Sequence, residues 1–548
     1  MGVPAFFRKL IKKYKILRNN PDMPVRELHI DGNCLFHPSC FKVLDFNKSE
    51  TNQQILFEKM SERIIGYIDY LIQLTCPTDL VHIAVDGVAP LAKINQQRMR
   101  RFGYANNYKA EIYRKHNIKT NNSWSNIVIT PGTQFMYDLH LKLKNHYEQK
   151  IASSTDPLYR FKIIYDSYMT PGEGEHKILQ YIKENNQHYD DGAVVIYGLD
   201  ADLIFLSMAS HLNNIFLLRE TNQFTSKYDN QNPEPEEECS IGEEMCYVDI
   251  DFAKKSINEE FNGYYDRWIN SRNAIDQNLD LEPDQGSGMF GNPLNHSHSH
   301  TDINTKNLSK CNISDFDFTD DYIFVCYFLG NDFLPHLPSI NINIDAMELI
   351  FNVYMDVFQD YGKNLIQFVD GQVIIDNDFL LEFITILASK EEDFFRRTQP
   401  EYLKKHLHKK CFETEPHKRD LWKIENLKNV KIIDPIQLGR GEAHEWKYRY
   451  YSYYFKTDEH MQETIDSISH NYFEGLLWVA RYYFENCPTW KWQYKYTHAP
   501  FLSDLMMYLK TRNIMRDFNT LHENPVDMYT QLVSVVPSTF AHILPNHL

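Results

Sequence analysis

The chain lacks the features that mark membrane-spanning and secreted proteins. Its 548 residues contain no run of 18 apolar residues, so no segment is expected to span a membrane. The start, MGVPAFFRKLIKKYK, has charges within its apolar stretch and no small-residue cleavage site, which excludes a secretory signal. Position 6 is neither Ser nor Thr, which argues against myristoylation. The nine cysteines are scattered without a C-x-x-C pair, which indicates reduced thiols inside a cell and argues against a zinc ribbon.

A net positive charge is also missing. The formal net charge of −17 argues against a protein that coats nucleic acid along its whole surface, although it leaves room for a local basic pocket. The hydrophobic content of 43% and the aromatic content of 14% are typical of a globular protein. A chain of this length predicts two or three domains.

Acidic residues follow most of the predicted strands. The apolar runs VRELHI, VHIAV, KIIYDS and VVIY are typical of buried parallel strands, and acids follow each of them. A further acid lies in GNDF, after an apolar helical run. The set consists of Asp31, Asp86, Glu173, Glu175, Asp200, Asp202 and Asp332.

In a parallel sheet these strand ends share one edge, so we expect the seven carboxylates to converge. So many acids remain ionised at one site only around cations, and carboxylate oxygens are natural ligands of Mg²⁺ or Mn²⁺. Two ions about 4 Å apart would stabilise an in-line phosphoryl displacement, which predicts hydrolysis of a phosphodiester by a metal-activated water. For Asp200 and Asp202 taken alone, a solvated pair that caps a helix is the alternative.

The segment PLAKINQQRMRRF is predicted to form a helix that starts near Pro90. Its cations and one amide fall mostly on one face, where they could bind a phosphate; an ordinary solvated basic face is the alternative. The position directly after an acid-bearing strand favours the phosphate pocket, which would consist of Lys93, Gln97, Arg100 and Arg101.

The predicted fold class is α/β: a mainly parallel, Rossmann-like sheet flanked by helices, with a largely helical, aromatic-rich C-terminal region. Residues 1–227 and 316–370 are assigned to a nuclease core, and 371–548 to a mostly helical region that completes the active-site pocket. Residues 228–315 are rich in Asn, Gly, Ser and acids, and are assigned to a low-complexity insertion.

The C-terminal stretch WVARYYFENCPTWKWQYKYTHAPF sets Trp and Tyr beside Lys and Arg. Such a mixture serves either as a belt that lines a core or as a platform on which bases stack. The spacing alone favours a core.

Several longer motifs resemble those of one nuclease family. IDGNCLFH, IAVDGVAPLAKINQQRMRRF, TPGEGEHKI, YGLDADLIFL, FLGNDFLPHLP and CPTWKWQYKYTHAPFLSDL occur in the order found in the 5′→3′ exoribonucleases of the XRN family, from residue 1 to about 505. The resemblance implies a PIN/FEN-like form of the central sheet. It also implies a processive exoribonuclease that degrades single-stranded RNA with a 5′ monophosphate to nucleoside 5′-monophosphates.

The resemblance also implies roles for individual residues. The seven acids would hold two Mg²⁺ or Mn²⁺ ions, and the basic helix would bind the 5′ phosphate. His37 would stack on a base, and a tryptophan of CPTWKWQY, either Trp490 or Trp492, would stack on the RNA from the other side. The implied setting is mRNA decay by a monomer in the cytoplasm, with the nucleus as the alternative compartment.

Two departures from the family pattern stand out. The family usually has Asp-x-Asn-Gly after the first strand, whereas this chain has Asp31-Gly32-Asn33-Cys34, so a different local turn is expected. The long C-terminal domains of cytoplasmic members and the zinc knuckle of nuclear members are not recognisable, so a minimal catalytic core is expected.

Two other functions remain as alternatives. One is a structure-specific 5′ nuclease of the flap endonuclease type acting on DNA, which uses similar acid clusters. The other is an inactive scaffold that binds RNA ends, although such a module would not need all seven acids.

Overall fold

A seven-stranded sheet lies at the centre of the protein. The computed structural model describes residues 6–105, 111–112, 115–116, 124–152, 161–185, 191–221, 241–279, 313–406, 411–427, 434–459, 461–518 and 523–545. The strands are β1 Leu17–Arg18, β2 Val25–Asp31, β3 Leu80–Ala84, β4 Lys162–Asp166, β5 Ala193–Tyr197, β6 Ile215–Glu220 and β7 Met245–Asp249. Their order across the sheet is β1-β7-β6-β5-β2-β3-β4.

Helices flank this sheet and continue into the C-terminal region. They are α1 Phe6–Tyr14, α2 Gly32–Phe46, α3 Gln53–Thr75, α4 Leu91–Ala105, α5 Gln134–Ala152, α6 Gly174–Glu184, α7 Asp202–Ala209, α8 Ile250–Leu279, α9 Thr319–Cys326, α10 Ala346–Tyr361, α11 Asn377–Ser389, α12 Gln399–His406, α13 Pro416–Leu427, α14 Ala443–Phe455, α15 Met461–Phe484, α16 Leu502–Leu509 and α17 Met528–Val535. Among the described helices, none has the length and apolar character needed to cross a bilayer. The predicted α/β fold with a largely helical C-terminal region is confirmed.

The strand directions explain where the functional edge lies. Strands β4, β3, β2, β5 and β6 run parallel, whereas β7 is antiparallel to β6 and β1 is antiparallel to β7. The chain builds outward from β2 through β3 and β4, then returns to add β5 and β6 on the other side of β2. Open α/β sheets form a crevice at such a change of direction, outside the carboxyl ends of the strands.

The central strands are buried on both faces, because helices cover both sides of the sheet. Every residue of β3 and β5 is buried, and their sequences LVHIA and AVVIY are almost wholly apolar, as the position requires. Along β5, Val194 and Ile196 face one hydrophobic core, while Val195 and Tyr197 face the other. These two packed layers fix the strand ends that carry the acids.

The stretch 228–315 differs from the sequence prediction. Residues 222–240 and 280–312 lie outside the described residues, so the low-complexity parts of the prediction stay untested. Residues 241–279 form β7, which pairs with β6 inside the sheet, and α8, which packs its apolar side into the main core. The sequence prediction missed both elements because the surrounding polar sequence obscured a short apolar strand, MCYVD, and the helical spacing of Ile250, Ile257 and Phe261.

The C-terminal region shares a core with the sheet. The predicted boundary at 370/371 falls inside the turn of a hairpin, whose strands β8 Ile366–Val369 and β9 Gln372–Ile375 pair with each other. The largest hydrophobic core contains buried residues from Leu10 to Phe518 and includes α15 and α16. The helical region is therefore held against the sheet by shared burial of apolar side chains.

Two glycines with positive φ allow a test of backbone strain near one predicted acid. Gly330 has φ of +85° and ψ of 152°, and a Cβ placed there would lie 2.6 Å from the His336 amide nitrogen. We expect Gly330→Ala to lower the free energy of unfolding by roughly 2–4 kcal/mol, because it adds a steric clash to the strained conformation. Urea denaturation followed by circular dichroism measures the change.

The matched control is Gly371→Ala, since Gly371 has φ of +76° but nothing within 4 Å of an added Cβ. This substitution should lower the free energy of unfolding by about 1 kcal/mol, because alanine is less stable than glycine at a positive φ but meets no steric clash here. Equal losses in the two variants would contradict the steric explanation for Gly330.

Candidate active site

A cavity of about 270 Å³ opens at the carboxyl ends of the parallel strands. It brings together side chains from the sheet edge, from α2, α4 and α6, and from the C-terminal α17. Its lining residues are Asp31, Asn33, Cys34, His37, Pro38, Asp86, Gly87, Lys93, Gln97, Arg100, Arg101, Ile129, Pro131, Glu173, Glu175, Leu199, Asp200, Asp332 and Gln531. Six of the seven predicted acids therefore face one space, together with all four residues of the predicted phosphate pocket.

Asp31 ends the central strand β2 and caps the following helix. Its Oδ1 accepts hydrogen bonds from the backbone nitrogens of Asn33 and Cys34, at 3.1 and 3.4 Å, and the Cys34 thiol donates to Oδ2 at 2.9 Å. Burial and the negative charge of Asp86 raise the pKa of Asp31 to about 7. The displaced glycine of this motif, Gly32, is the first residue of α2, so the local turn is a helix N-cap.

Asp86 follows β3 on a closely packed backbone. A Cβ at the next residue, Gly87, would lie 1.9 Å from the carbonyl oxygen of Thr170, so only glycine fits. The Gly174 amide donates to Asp86 Oδ1 at 2.7 Å, and the Asp86 amide donates to Asn33 Oδ1 at 3.2 Å. Burial and the charge of Glu173 raise the pKa of Asp86 to about 6.

Glu173 and Glu175 lie at the start of α6. Glu173 is bound through both oxygens: the Tyr482 hydroxyl donates to Oε1 at 2.8 Å, and the Lys93 ammonium lies 2.6 Å from Oε2. Glu175 is buried, and its Oε2 has no hydrogen-bond partner among the described residues. Burial, opposed by Lys93 and reinforced by the charge of Asp200, raises the pKa of Glu175 well above its usual value.

Asp200 and Asp202 follow β5, as predicted, but their side chains are placed differently. Asp200 lines the cavity, and its carbonyl oxygen accepts a hydrogen bond from the buried Arg219 of β6. Asp202 begins α7, is 3% exposed and does not line the cavity. Burial and the charge of Asp332 raise the pKa of Asp202 to about 7, so it belongs to the same electrostatic cluster.

Asp332 reaches the site from the loop that follows α9. Its Oδ2 lies 2.9 Å from the Lys93 ammonium. Burial acts to raise the pKa of Asp332, but the positive charge of Lys93 overcomes it, and the pKa falls to about 2. Asp332, the predicted ligand in the GNDF segment, therefore belongs to the acidic cluster.

The donor set suits a hard divalent cation. Glu175 Oε2 and Asp202 Oδ1 are buried carboxylate oxygens without a hydrogen-bond partner in the described part of the chain, a costly arrangement that a cation would relieve. Ligand atoms of Glu173, Glu175 and His176 lie within 4.8 Å of one another. Lys93 is one positive charge among seven acids, so further cations fit the charge balance.

The basic residues of α4 line the same cavity as the acids. Arg100 and Arg101 lie one helical turn beyond Gln97 on α4, and burial together with the charge of Arg100 lowers the pKa of Arg101 to about 10. The Nη1 of Arg101 is buried and finds no hydrogen-bond partner among the described residues. Lys93, on the same helix, instead contacts Glu173 and Asp332, so α4 joins the basic side to the acidic side.

His37 lines the cavity beside the arginines. Burial and the charges of Arg100 and Arg101 lower the pKa of His37 to about 4, so its ring is neutral at physiological pH. A neutral aromatic ring at the cavity wall is suited to stacking on a base.

The two candidate tryptophans have different surroundings. The ring of Trp492 stacks on Trp478 with centroids 5.1 Å apart. Trp490 is half-buried, and its carbonyl oxygen accepts a hydrogen bond of 2.8 Å from the amide of Leu91, the first residue of α4. Neither ring is among the described residues that line the cavity. Of the two, Trp490 is attached directly to the helix that carries the basic residues.

Three residues at the site were not singled out from the sequence. Gln531 of α17 lines the cavity and accepts a hydrogen bond from the Ala89 amide at 2.8 Å. Asn33 supports Asp86, and Tyr482 supports Glu173. The Asn33 position could have been inferred from its place in the IDGNC motif, whereas Gln531 and Tyr482 act on residues more than 300 positions away and leave no local signal.

Two family models match the chain. Residues 1–221 match the family model described as XRN 5'-3' exonuclease N-terminus. Residues 314–431 and 401–548 match the model described as Xrn1 helical domain. These residues include the Asp332 loop and α15. The two regions meet at the cavity.

Individual relatives cover the whole chain. A 5'-3' exoribonuclease 2 from Arabidopsis thaliana is 26% identical over 672 residues, which span 100% of this chain and 62% of that protein. A 5'-3' exoribonuclease 1 from Homo sapiens is 27% identical over 588 residues, which span 100% of this chain and 31% of that protein. The chain thus spans less than two thirds of the length of either relative. Together, the two family models account for most of the sequence, and the chain belongs to the XRN family of 5'-3' exonucleases.

Proposed function

We propose that the protein is a processive 5′→3′ exoribonuclease that hydrolyses single-stranded RNA with a 5′ monophosphate to nucleoside 5′-monophosphates. One observation carries the proposal: six of the seven acids and the basic residues of α4 line one cavity of about 270 Å³. The cavity is small for a ligand pocket, which suits a single terminal nucleotide. The names of the relatives support the same activity.

We further propose that the seven acids hold two Mg²⁺ or Mn²⁺ ions. Such ions, when bound, stabilise the attacking and leaving oxygens of a phosphodiester in an in-line displacement and promote deprotonation of water. The protein's own contribution is to hold the carboxylates: the Cys34 and Gly174 amides orient Asp31 and Asp86, and Arg219 fixes the loop of Asp200. These groups keep the ligand geometry before substrate arrives.

The basic side of the cavity accounts for selection of the 5′ end. Arg100 and Arg101 offer planar donor pairs to a phosphate, and Gln97 adds an amide. A 5′ hydroxyl would leave these donors unpaired, and a cap or triphosphate would be too bulky for a cavity of about 270 Å³. His37 and Trp490 would hold the terminal bases by stacking, which tolerates any base.

The biological setting in this proposal is RNA decay, including mRNA decay, by a monomer in the cytoplasm. One assay separates this proposal from its alternatives: purified protein with Mg²⁺, RNAs that differ only in a 5′ monophosphate, triphosphate or hydroxyl, and a DNA flap. We expect the protein to degrade the RNA with a 5′ monophosphate in preference to the other substrates. Preferred cutting of the flap, or binding without turnover, would contradict the proposal.

We expect Asp200→Asn and Asp202→Asn each to lower turnover by more than about 100-fold, because loss of a partner that merely orients a metal ligand already costs 10–100-fold. Binding of 5′-monophosphate RNA should persist, since α4 is unchanged. Turnover is measured by release of mononucleotides, and binding by fluorescence anisotropy in EDTA.

The control is Asp320→Asn, which neutralises an acid that pairs with His211 outside the cavity. This variant should turn over RNA like the parent protein. Unchanged turnover in Asp200→Asn and Asp202→Asn would remove these two residues from the mechanism.

We expect Arg100→Ala to reduce the preference for a 5′ monophosphate over a 5′ hydroxyl by about 10–100-fold, because a charge-assisted phosphate contact contributes about 1.5–3 kcal/mol. The preference is the ratio of kcat/KM values for the two RNAs. Arg98→Ala serves as the control, because Arg98 lies on the same helix but points to the carbonyl oxygen of Ser534. An unchanged ratio in Arg100→Ala would refute the pocket.

The raised pKa values predict how pH affects metal binding. In the metal-free protein the pKa values of Asp31 and Asp202 are raised to about 7 and that of Asp86 to about 6. Protonation of these groups stabilises the folded state at low pH, and this stabilisation is lost as pH rises through about 6 to 7. Mg²⁺ competes with the protons, so its binding strengthens over the same range.

We therefore expect Mg²⁺ to raise the melting temperature more at pH 8 than at pH 6, relative to EDTA. Thermal denaturation followed by intrinsic fluorescence measures both shifts. An equal shift at the two pH values would show that these carboxylates do not exchange protons for metal.

A further inference from the structure

A buried tyrosine from the C-terminal region reaches into the acidic cluster. Tyr482 lies near the end of α15, is 3% exposed, and donates its hydroxyl to Oε1 of Glu173 at 2.8 Å. The two residues are 309 positions apart in the chain. This hydrogen bond therefore connects a proposed metal ligand on the sheet edge to the helical region.

The ring of Tyr482 is held by aromatic neighbours. The ring of His176, from the same helix α6 as Glu175, lies against it with centroids 3.7 Å apart. Trp478 stacks on it with centroids 4.6 Å apart and an interplanar angle of 19°, and Phe333 meets it edge-on at 5.3 Å. Neighbours from three different segments thus fix the ring, and with it the position of the hydroxyl.

The aromatic contacts continue away from the site. Trp478 also stacks on Trp492, and its Nε1 donates to the carbonyl oxygen of Thr489 at 2.9 Å. The residue after Thr489 is Trp490, whose carbonyl oxygen accepts the amide of Leu91 at the start of α4. The same aromatic column therefore supports both the Glu173 contact and the segment attached to the basic helix.

We propose that Tyr482 is a positioning residue that orients Glu173 for metal binding. This inference rests on the proposed function, because it requires a divalent cation at the acidic cluster. A glutamate side chain has several rotatable bonds, so a fixed donor on one oxygen restricts the directions in which its remaining lone pairs point. Such outer contacts commonly set metal affinity.

Lys93 cannot orient Glu173 for metal binding alone. Its ammonium contacts the other oxygen of Glu173 and also Asp332, and it carries a positive charge. A divalent cation bound between these carboxylates would repel that charge. The neutral hydroxyl of Tyr482 has no such conflict, so it can hold Glu173 in the presence of the metal.

The test is Tyr482→Phe, which removes the hydroxyl and keeps the ring. We expect the Mg²⁺ concentration that gives half-maximal thermal stabilisation to rise about 10–100-fold. Binding of 5′-monophosphate RNA in EDTA should stay unchanged. The control is Tyr472→Phe on the same helix, because Tyr472 is also buried and its hydroxyl donates to the Pro335 carbonyl, at 3.4 Å, and not to one of the seven acids.

A double variant tests whether Tyr482 acts through Glu173. Glu173→Gln alone and Glu173→Gln with Tyr482→Phe should show the same metal dependence, because the hydroxyl matters only while the carboxylate is present. Additive effects, or equal shifts in Tyr482→Phe and Tyr472→Phe, would overturn the positioning role. A Tyr482→Phe variant that titrates with Mg²⁺ like the parent would also overturn it.

The parent protein separates this inference from the proposed function. If the parent is not stabilised by Mg²⁺ at all, the proposed metal site fails and the inference fails with it. If the parent responds to Mg²⁺ and Tyr482→Phe responds equally, only the role of Tyr482 is refuted.

Discussion

Repulsion among buried carboxylates is the constraint on which this structure depends. The parallel strands bring Asp31, Asp86 and Asp200 to one edge, and burial leaves little water to screen them. The raised pKa values at the cluster are the direct consequence of that confinement. The surrounding structure supplies amide donors, the Lys93 ammonium and the Tyr482 hydroxyl, which make the confinement tolerable.

Helix α4 resolves part of this conflict by carrying both kinds of contact. Near its start Lys93 neutralises Glu173 and Asp332, and about two turns later Arg100 and Arg101 face the remaining space. Because one rigid helix holds both groups, the separation between the acidic and basic sides is fixed. A substrate end bound by the arginines would thus meet the acids at a constant spacing.

The sequence predicted strands, helices and site residues correctly where a local pattern of apolar or charged residues marks them. Largely apolar runs identified β3 and β5, and Asp86 and Asp200, which follow them, line one cavity with Asp31 of β2, whereas Asp202 does not line it. The basic helix was found from its spacing and lies where expected. Local pattern failed for β7 and α8, where apolar residues are embedded in a polar stretch. It also failed for Tyr482 and Gln531, whose partners lie hundreds of residues away, because no local spacing encodes such a contact.

The position of α17 has a consequence for how the protein is made. Gln531 closes one wall of the cavity by accepting the amide of Ala89, 442 residues earlier in the chain. During translation the sheet and its acids emerge first, and this wall is added only after the 442 residues from Ala89 to Gln531 have followed. A nascent chain would therefore lack an intact cavity until the segment that carries Gln531 has been made and packed.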